Sequence, residues 1–129
     1  MAFAGDGTGA DGCDGSGREA AVKLYIGGAY QGQNELAQNE NPGAEIFFDF
    51  HETIREAVNH GEAPREFAAR FCAEHPDAVI AANEVGAGVV PMRAEDRAFR
   101  EAVGRALCVI AQEAEMVTRC ICSVGVRIK

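Results

Sequence analysis

"VKLYIGGAYQGQNELA", residues 22–37, is the stretch from which the fold is read. Val22, Leu24 and Ile26 alternate with Lys23 and Tyr25, the period of a strand, and the run stops at Gly27-Gly28. Four residues separate Gly27 from Gly32, and a helix-forming stretch opens at Gln33. Strand, glycine-rich turn and helix in that order are the frame of a phosphate-binding loop, whose backbone N–H groups cradle an anion at a helix N-terminus. A working loop of this kind continues with Lys and Ser or Thr; here the residues are Gln33 and Asn34. The stretch reads as a nucleotide site, as one stripped of its charged chemistry, or as a tight turn.

Outward from this loop, strand and helix patterns alternate. "AEIFFDF" (44–50) predicts a second strand, and "ETIREAVNHG" a helix with Ile54 and Val58 on one side and Gly61 placed to end it. "PREFAARFCAEH" starts with Pro64, suited to a first helical turn, and presents Phe67, Ala68 and Phe71 as its apolar face. "DAVIAANEV" (77–85) reads as the third strand. Residues 94–115 form a helix with a stripe of Phe99, Val103, Ala106, Leu107 and Ile110. "MVTRCICSVGVRIK" closes the chain as one strand, or as an antiparallel hairpin broken at Gly125. The fold class is α/β: a mainly parallel sheet with helices on both faces, in one domain over residues 21–129. Residues 1–20 are rich in Gly, Asp and Ala and predict a flexible tail. The G-x-G-x-x-G spacing at Gly7, Gly9 and Gly12 lacks the strand and helix that a dinucleotide fingerprint needs.

Composition excludes several function classes. At 129 residues the chain is long enough to bury a core without staples, and its net charge of -8 offers no basic stripe for nucleic acid. No apolar run is long enough to span a bilayer and no basic, then apolar, leader opens the chain, so a cytoplasmic protein without membrane partners is expected. Cys13, Cys72, Cys108, Cys120 and Cys122 form no C-x-x-C pair and read as reduced, mostly buried thiols. His51, His60 and His75 have no metal-ligand spacing; His60 reads as a helix-end residue.

In open α/β sheets ligands bind beyond the carboxyl ends of the strands. That rule gathers Gly27, Gly28, Ala29, Tyr30, Gln31 and Gly32 after the first strand, Asp49 and His51 at the end of the second, and Asn83, Glu84, Gly86 and Gly88 after the third. Each has a plainer reading: glycines solve tight turns, and carboxylates at strand ends are often solvated.

Three later stretches carry a family resemblance: "NEVGAGVVP" (83–91), "FREAVGRA" (99–106) and the terminal "VGVRIK". In order and spacing they resemble the C-terminal half of the bifunctional adenosylcobinamide kinase/adenosylcobinamide-phosphate guanylyltransferases of cobalamin biosynthesis, which read N-E-V-G-x-G-I-V-P, F-R-D-x-x-G-R and G-V-K-I-K. That family's loop, G-G-A-R-S-G-K-S, is similar to Gly27 through Asn34. The resemblance implies a P-loop, RecA-like fold, GTP or ATP with Mg²⁺ as cofactor, and a corrinoid as partner; a homo-oligomer is compatible with it. By the same resemblance Gly27–Asn34 would hold nucleotide, Asp49 would help hold Mg²⁺ and act in catalysis with Glu84, and Asn83, Gly86, Gly88 and Arg105 would complete the site. The family phosphorylates adenosylcobinamide and transfers GMP through a histidine-linked intermediate, but His51 and His60 do not sit in its histidine motif. Gln33 and Asn34 remove a positive charge and a metal ligand from a reaction that depends on electrostatic placement. Two expectations stand: a shortened enzyme of this type, or a non-catalytic relative that binds nucleotide or corrinoid weakly.

Overall fold

The computed structural model describes residues 21–84 and 93–129. The G-x-G-x-x-G spacing near the N-terminus and the expected site residues Gly86 and Gly88 lie outside the described residues.

The order is β1 (Lys23–Gly27), α1 (Gln33–Glu40), β2 (Ile46–Phe47), α2 (Phe50–Asn59), α3 (Pro64–Glu74), β3 (Val79–Asn83), α4 (Ala94–Glu113), β4 (Met116–Ile121) and β5 (Val124–Arg127). The strands form one sheet ordered β2-β3-β1-β4-β5, parallel except for the last pair. Because β1 and β3 are covered on both faces, consecutive residues are buried on opposite sides. Leu24, Ile80, Ala82 and Val117 meet Phe50 and Ile54 of α2, Phe67 and Phe71 of α3, and Val103, Ala106 and Ile110 of α4. Tyr25, Val79, Ala81 and Cys120 meet Ala37 and Leu36 of α1. Helices therefore cover both faces, as the strand and helix alternation predicts.

The path across the sheet creates the site. From β1 the chain runs over the α1 face to β2 at one edge; from β3 it runs over the opposite face, past β1, to β4. The connections leaving β1 and β3 thus diverge to opposite faces at neighbouring strand ends, the arrangement that opens a crevice in doubly wound sheets.

Two elements differ from the sequence expectation. The second strand is only Ile46–Phe47, because Asp49 turns into the left-handed region (φ 50) as the N-cap of α2. Phe50 enters the core from that helix, 4.7 Å from the Phe71 ring, instead of continuing a strand. The C-terminal hairpin turns at Cys122-Ser123, both left-handed (φ 51 and 64), and not at Gly125. Gly125 lies inside β5, where a Cβ would stand 2.5 Å from Leu36 Cδ2.

Candidate functional site

The loop between β1 and α1 is shaped by close approach as much as by turn geometry. A Cβ on Gly27 would stand 2.8 Å from the Cys120 carbonyl oxygen of β4. At Gly32, φ is 92 and a Cβ would meet Ser123 Oγ at 2.5 Å. Both positions therefore exclude side chains for reasons that the loop motif alone does not state. Tyr30 is left-handed too (φ 63), and its ring is fully exposed at the rim.

Gln31 ties this loop to the C-terminal hairpin. Its Oε1 accepts from the Cys122 N–H at 2.7 Å, and its carbonyl accepts from the Ser123 N–H at 2.8 Å. Those two bonds hold the left-handed turn and bring Ser123 to the cleft. An open cleft of about 480 Å³ results, lined by Ala29, Tyr30, Gly32, Gln33, Asn34, Glu35, Asp49, Asn83 and Ser123.

Gln33 occupies the position where a phosphate-binding loop has lysine, and it points inward. It is 4% exposed; Nε2 donates to Asn83 Oδ1 at 2.7 Å and to the Gly28 carbonyl at 3.2 Å, with the Gly27 and Ala82 carbonyls at 3.4 Å. Its Oε1 is buried without a hydrogen-bond partner. The amide thus pins the loop to the end of β3 and donates nothing to the cleft. No side chain caps α1, so its first-turn N–H groups stay available to an anion, beside the side-chain donors of Asn34 and Ser123 in the lining.

Asn83 is the second half of this clasp. Since β2 ends at Phe47, opposite Ile80, the Asn83 N–H has no strand partner on that side. His51 Nδ1 accepts it at 3.1 Å, so a neutral His51 carries its proton on Nε2. His51 is 7% exposed and sits in the first turn of α2, with Nε2 3.7 Å from Glu52. Buried His51 is a structural acceptor that the sequence reading placed only at a strand end.

The other expected residues divide. Asp49 lines the cleft, and so does Asn34. The Glu84 N–H donates to the Gly27 carbonyl at 2.7 Å, while its carboxylate lies 3.9 Å from Arg119 and outside the cleft. Arg105 pairs with Glu101 on α4, also away from the cleft, and this ion pair holds the Glu101 carboxyl below the usual range. His60 lies at the C-terminal end of α2 with Nδ1 2.7 Å from the Glu56 carbonyl oxygen. Glu35 and Ser123 were not singled out in the sequence; for Glu35 the signal was its place in the first turn of α1. Among the described residues the cleft is lined by two carboxylates and no cation. The cysteines depart in part from expectation: Cys72 and Cys120 are buried, Cys108 and Cys122 exposed, and all four are free.

The residues present fit a phosphate at the α1 amide groups. The described residues of the cleft do not supply the cation that stabilises a transferring phosphoryl group. For Mg²⁺ the cleft offers Asp49, with the remaining ligands left to phosphate oxygens and water. Among the described residues no group of three or more His, Cys, Asp or Glu side chains is arranged to hold a metal, and no helix is long and apolar enough to cross a membrane.

A family model described as cobinamide kinase / cobinamide phosphate guanyltransferase matches residues 33–128. The match begins at Gln33 and includes the hairpin and the clasp residues, but not Gly27–Gly32. No curated protein matches the chain.

Proposed function

The chain belongs to the cobinamide kinase / cobinamide phosphate guanyltransferase family, and on that premise we propose that it is a member that receives nucleotide weakly at the β1–α1 loop without transferring phosphoryl groups by itself. Family membership ties it to cobinamide handling in cobalamin biosynthesis. The observation that carries the finer reading is the inward clasp of Gln33 on Asn83 and Gly28. A lysine there would bring a full charge to the β and γ phosphates; the amide brings none and is already engaged. The uncapped first turn of α1 still offers N–H groups to an anion. A protein of this kind acts as a nucleotide- or corrinoid-binding partner in the pathway.

A second reading, a working cobinamide kinase or guanylyltransferase, is favoured by the family match itself. Calorimetric titration with Mg-GTP and Mg-ATP separates the two. The native chain is expected to bind weakly and to leave cobinamide unphosphorylated. The double change Gln33→Lys with Asn34→Ser restores a charge and a hydroxyl, charge-assisted contacts of about 1.5–3 kcal/mol each. One of them, fully expressed, tightens binding by about tenfold or more. Tight native binding with turnover would establish the second reading. A folded double variant with no gain in affinity would reduce the loop to a turn.

A further inference from the structure

Tyr30 is the largest side chain in the described lining of the cleft and the least attached. It is 103% accessible, so its ring packs against no other described residue, whereas Tyr25 is 1% accessible inside the sheet. Its backbone is left-handed (φ 63), a conformation uncommon for bulky residues and one that clusters at ligand-binding segments. Neither feature serves the core. An exposed ring adds no buried area, and glycine or asparagine would hold this turn with less strain.

The backbone that carries the ring is fixed on both sides. After it, Gln31 accepts the Cys122 and Ser123 N–H groups through its side chain and its carbonyl, and Gly32 lies against Ser123. Before it, Gly27 lies against the Cys120 carbonyl, and the Gly27 carbonyl accepts the Glu84 N–H. A short loop tied to β3 and to the β4–β5 hairpin thus holds Tyr30 out at the rim, ready for a ligand without further ordering of the backbone.

The rest of the lining decides what such a ring can receive. Ala29 and Gly32 apart, the other described lining residues are polar or acidic, and none is a cation. A nucleotide there has the α1 amide groups for one phosphate and little to reward a longer phosphate chain. Its flat base has one apolar surface of matching size, the Tyr30 ring, and every base has a π-face to offer it. The cleft, about 480 Å³, is of the size that takes a small ligand.

We propose, on the reading that nucleotide is received at the β1–α1 loop, that Tyr30 stacks on the base of that nucleotide, so that the site selects its ligand by the base and not by the length of the phosphate chain. The ligand class is a nucleoside monophosphate or any longer nucleotide that presents the same base and first phosphate. A loop lysine rewards the β and γ phosphates; here Gln33 is turned inward onto Asn83, and further phosphates only bring charge towards Glu35 and Asp49.

GMP and ribose 5-phosphate share sugar and phosphate and differ in the base, which makes the test specific. The full-length chain is titrated with each, following the amide shifts of Gly28 and Gly32. GMP is expected to bind about tenfold tighter than ribose 5-phosphate, and metal-free GTP no tighter than GMP. Tyr30→Ala is expected to abolish the advantage of GMP and leave ribose 5-phosphate unchanged, whereas Tyr30→Phe, which keeps the ring, retains it. Both variants should keep the native thermal midpoint, since the ring packs on nothing. With two tyrosines and no tryptophan in the chain, Tyr30→Phe also identifies the Tyr30 ring protons, which GMP should shift upfield and ribose 5-phosphate should not. Equal affinity for the two ligands overturns the proposal, as does an advantage of GMP that survives Tyr30→Ala, a loss shared equally by both ligands, or metal-free GTP bound more tightly than GMP. If neither GMP, GTP nor ribose 5-phosphate moves the loop amides, the nucleotide reading itself fails and the stacking role falls with it.

Discussion

Tyr25 shows how a single polar atom inside the sheet sets a property of the whole fold. It is 1% exposed, its hydroxyl donates to Glu40 Oε1 at 2.7 Å, and it accepts from Asn41 Nδ2 at 3.0 Å. Burial first, and then the bond to Glu40, push its pKa up to about 12 from 10.0. Burial likewise pushes the Cys72 thiol up to about 11 from 9.0, with Glu113 adding to the effect. Both folded-state values are raised above the unfolded ones, so the stability these groups confer is complete below the unfolded values. It is lost as pH rises, between 9 and 11 for Cys72 and between 10 and 12 for Tyr25. Each group can lower stability by at most about 1.4 kcal/mol per pH unit in its window. Tyr25→Phe is expected to cost about 1 kcal/mol at neutral pH through the lost hydrogen bonds. Above pH 10 the native chain loses stability faster than the variant, so the gap between their urea midpoints narrows. A gap that is constant with pH would mean that the phenol is not the titrating group.

At the scale of elements, the loop and the hairpin behave as one unit. Gly32 combines a left-handed backbone with Ser123 Oγ at 2.5 Å and Ser123 Cα at 3.2 Å from its would-be Cβ. Gly32→Ala is therefore expected to cost about 1–2 kcal/mol for the backbone alone, with the clash added. Measured against Ser123→Gly alone, which itself relaxes the left-handed Ser123 backbone, the same change should cost less by part of the clash and keep the whole backbone term, as read from denaturant midpoints. A cost that vanishes there would mean that the conformation of Gly32 is not strained by a side chain. This coupling was invisible in the sequence, since Gln31 and Cys122 are 91 positions apart. The sheet itself was legible: the alternation in 22–26 and the apolar run at 79–82 mark strands buried on two faces, and the apolar stripe of α4 marks its inner side. What failed was local. In "AEIFFDF" the aromatic density suits a strand, but Phe50 is buried from a helix whose start is fixed by Phe67 and Phe71. Gly125 looked like the hairpin break because glycine favours turns; its lack of a side chain is used instead to admit Leu36. Cys122 and Ser123 take the turn because Gln31 binds both of their N–H groups.

Over the whole molecule the electrostatics oppose the nucleotide proposed for the cleft. The chain carries -8, and the described lining of the cleft adds Glu35 and Asp49 without a cation. Three cations of the described residues are engaged away from the cleft: Lys129 binds the last carbonyls of α4, Arg105 pairs with Glu101, and Arg119 lies 3.9 Å from Glu84. An ordinary anion site weakens as salt rises, because its attraction is screened. Here screening removes repulsion instead. Raising ionic strength from about 0.01 M to about 0.15 M shortens the screening length from about 30 Å to about 8 Å. Binding of metal-free GTP by the native chain is therefore expected to hold or tighten over that range, read from the amide shifts of Gly28 and Gly32, which report weak binding. Each unit charge pair at about 8 Å in water is worth about 0.5 kcal/mol, and GTP carries several charges. Glu35→Gln with Asp49→Asn should consequently tighten binding by about tenfold at low salt, since 1.4 kcal/mol is a factor of ten. The same pair of changes should also reduce the benefit of added Mg²⁺, which in the native chain neutralises nucleotide and carboxylate together. If native affinity instead falls steeply with salt, a cation from outside the described residues reaches the phosphates, and the working-enzyme reading gains the charge that Gln33 does not supply.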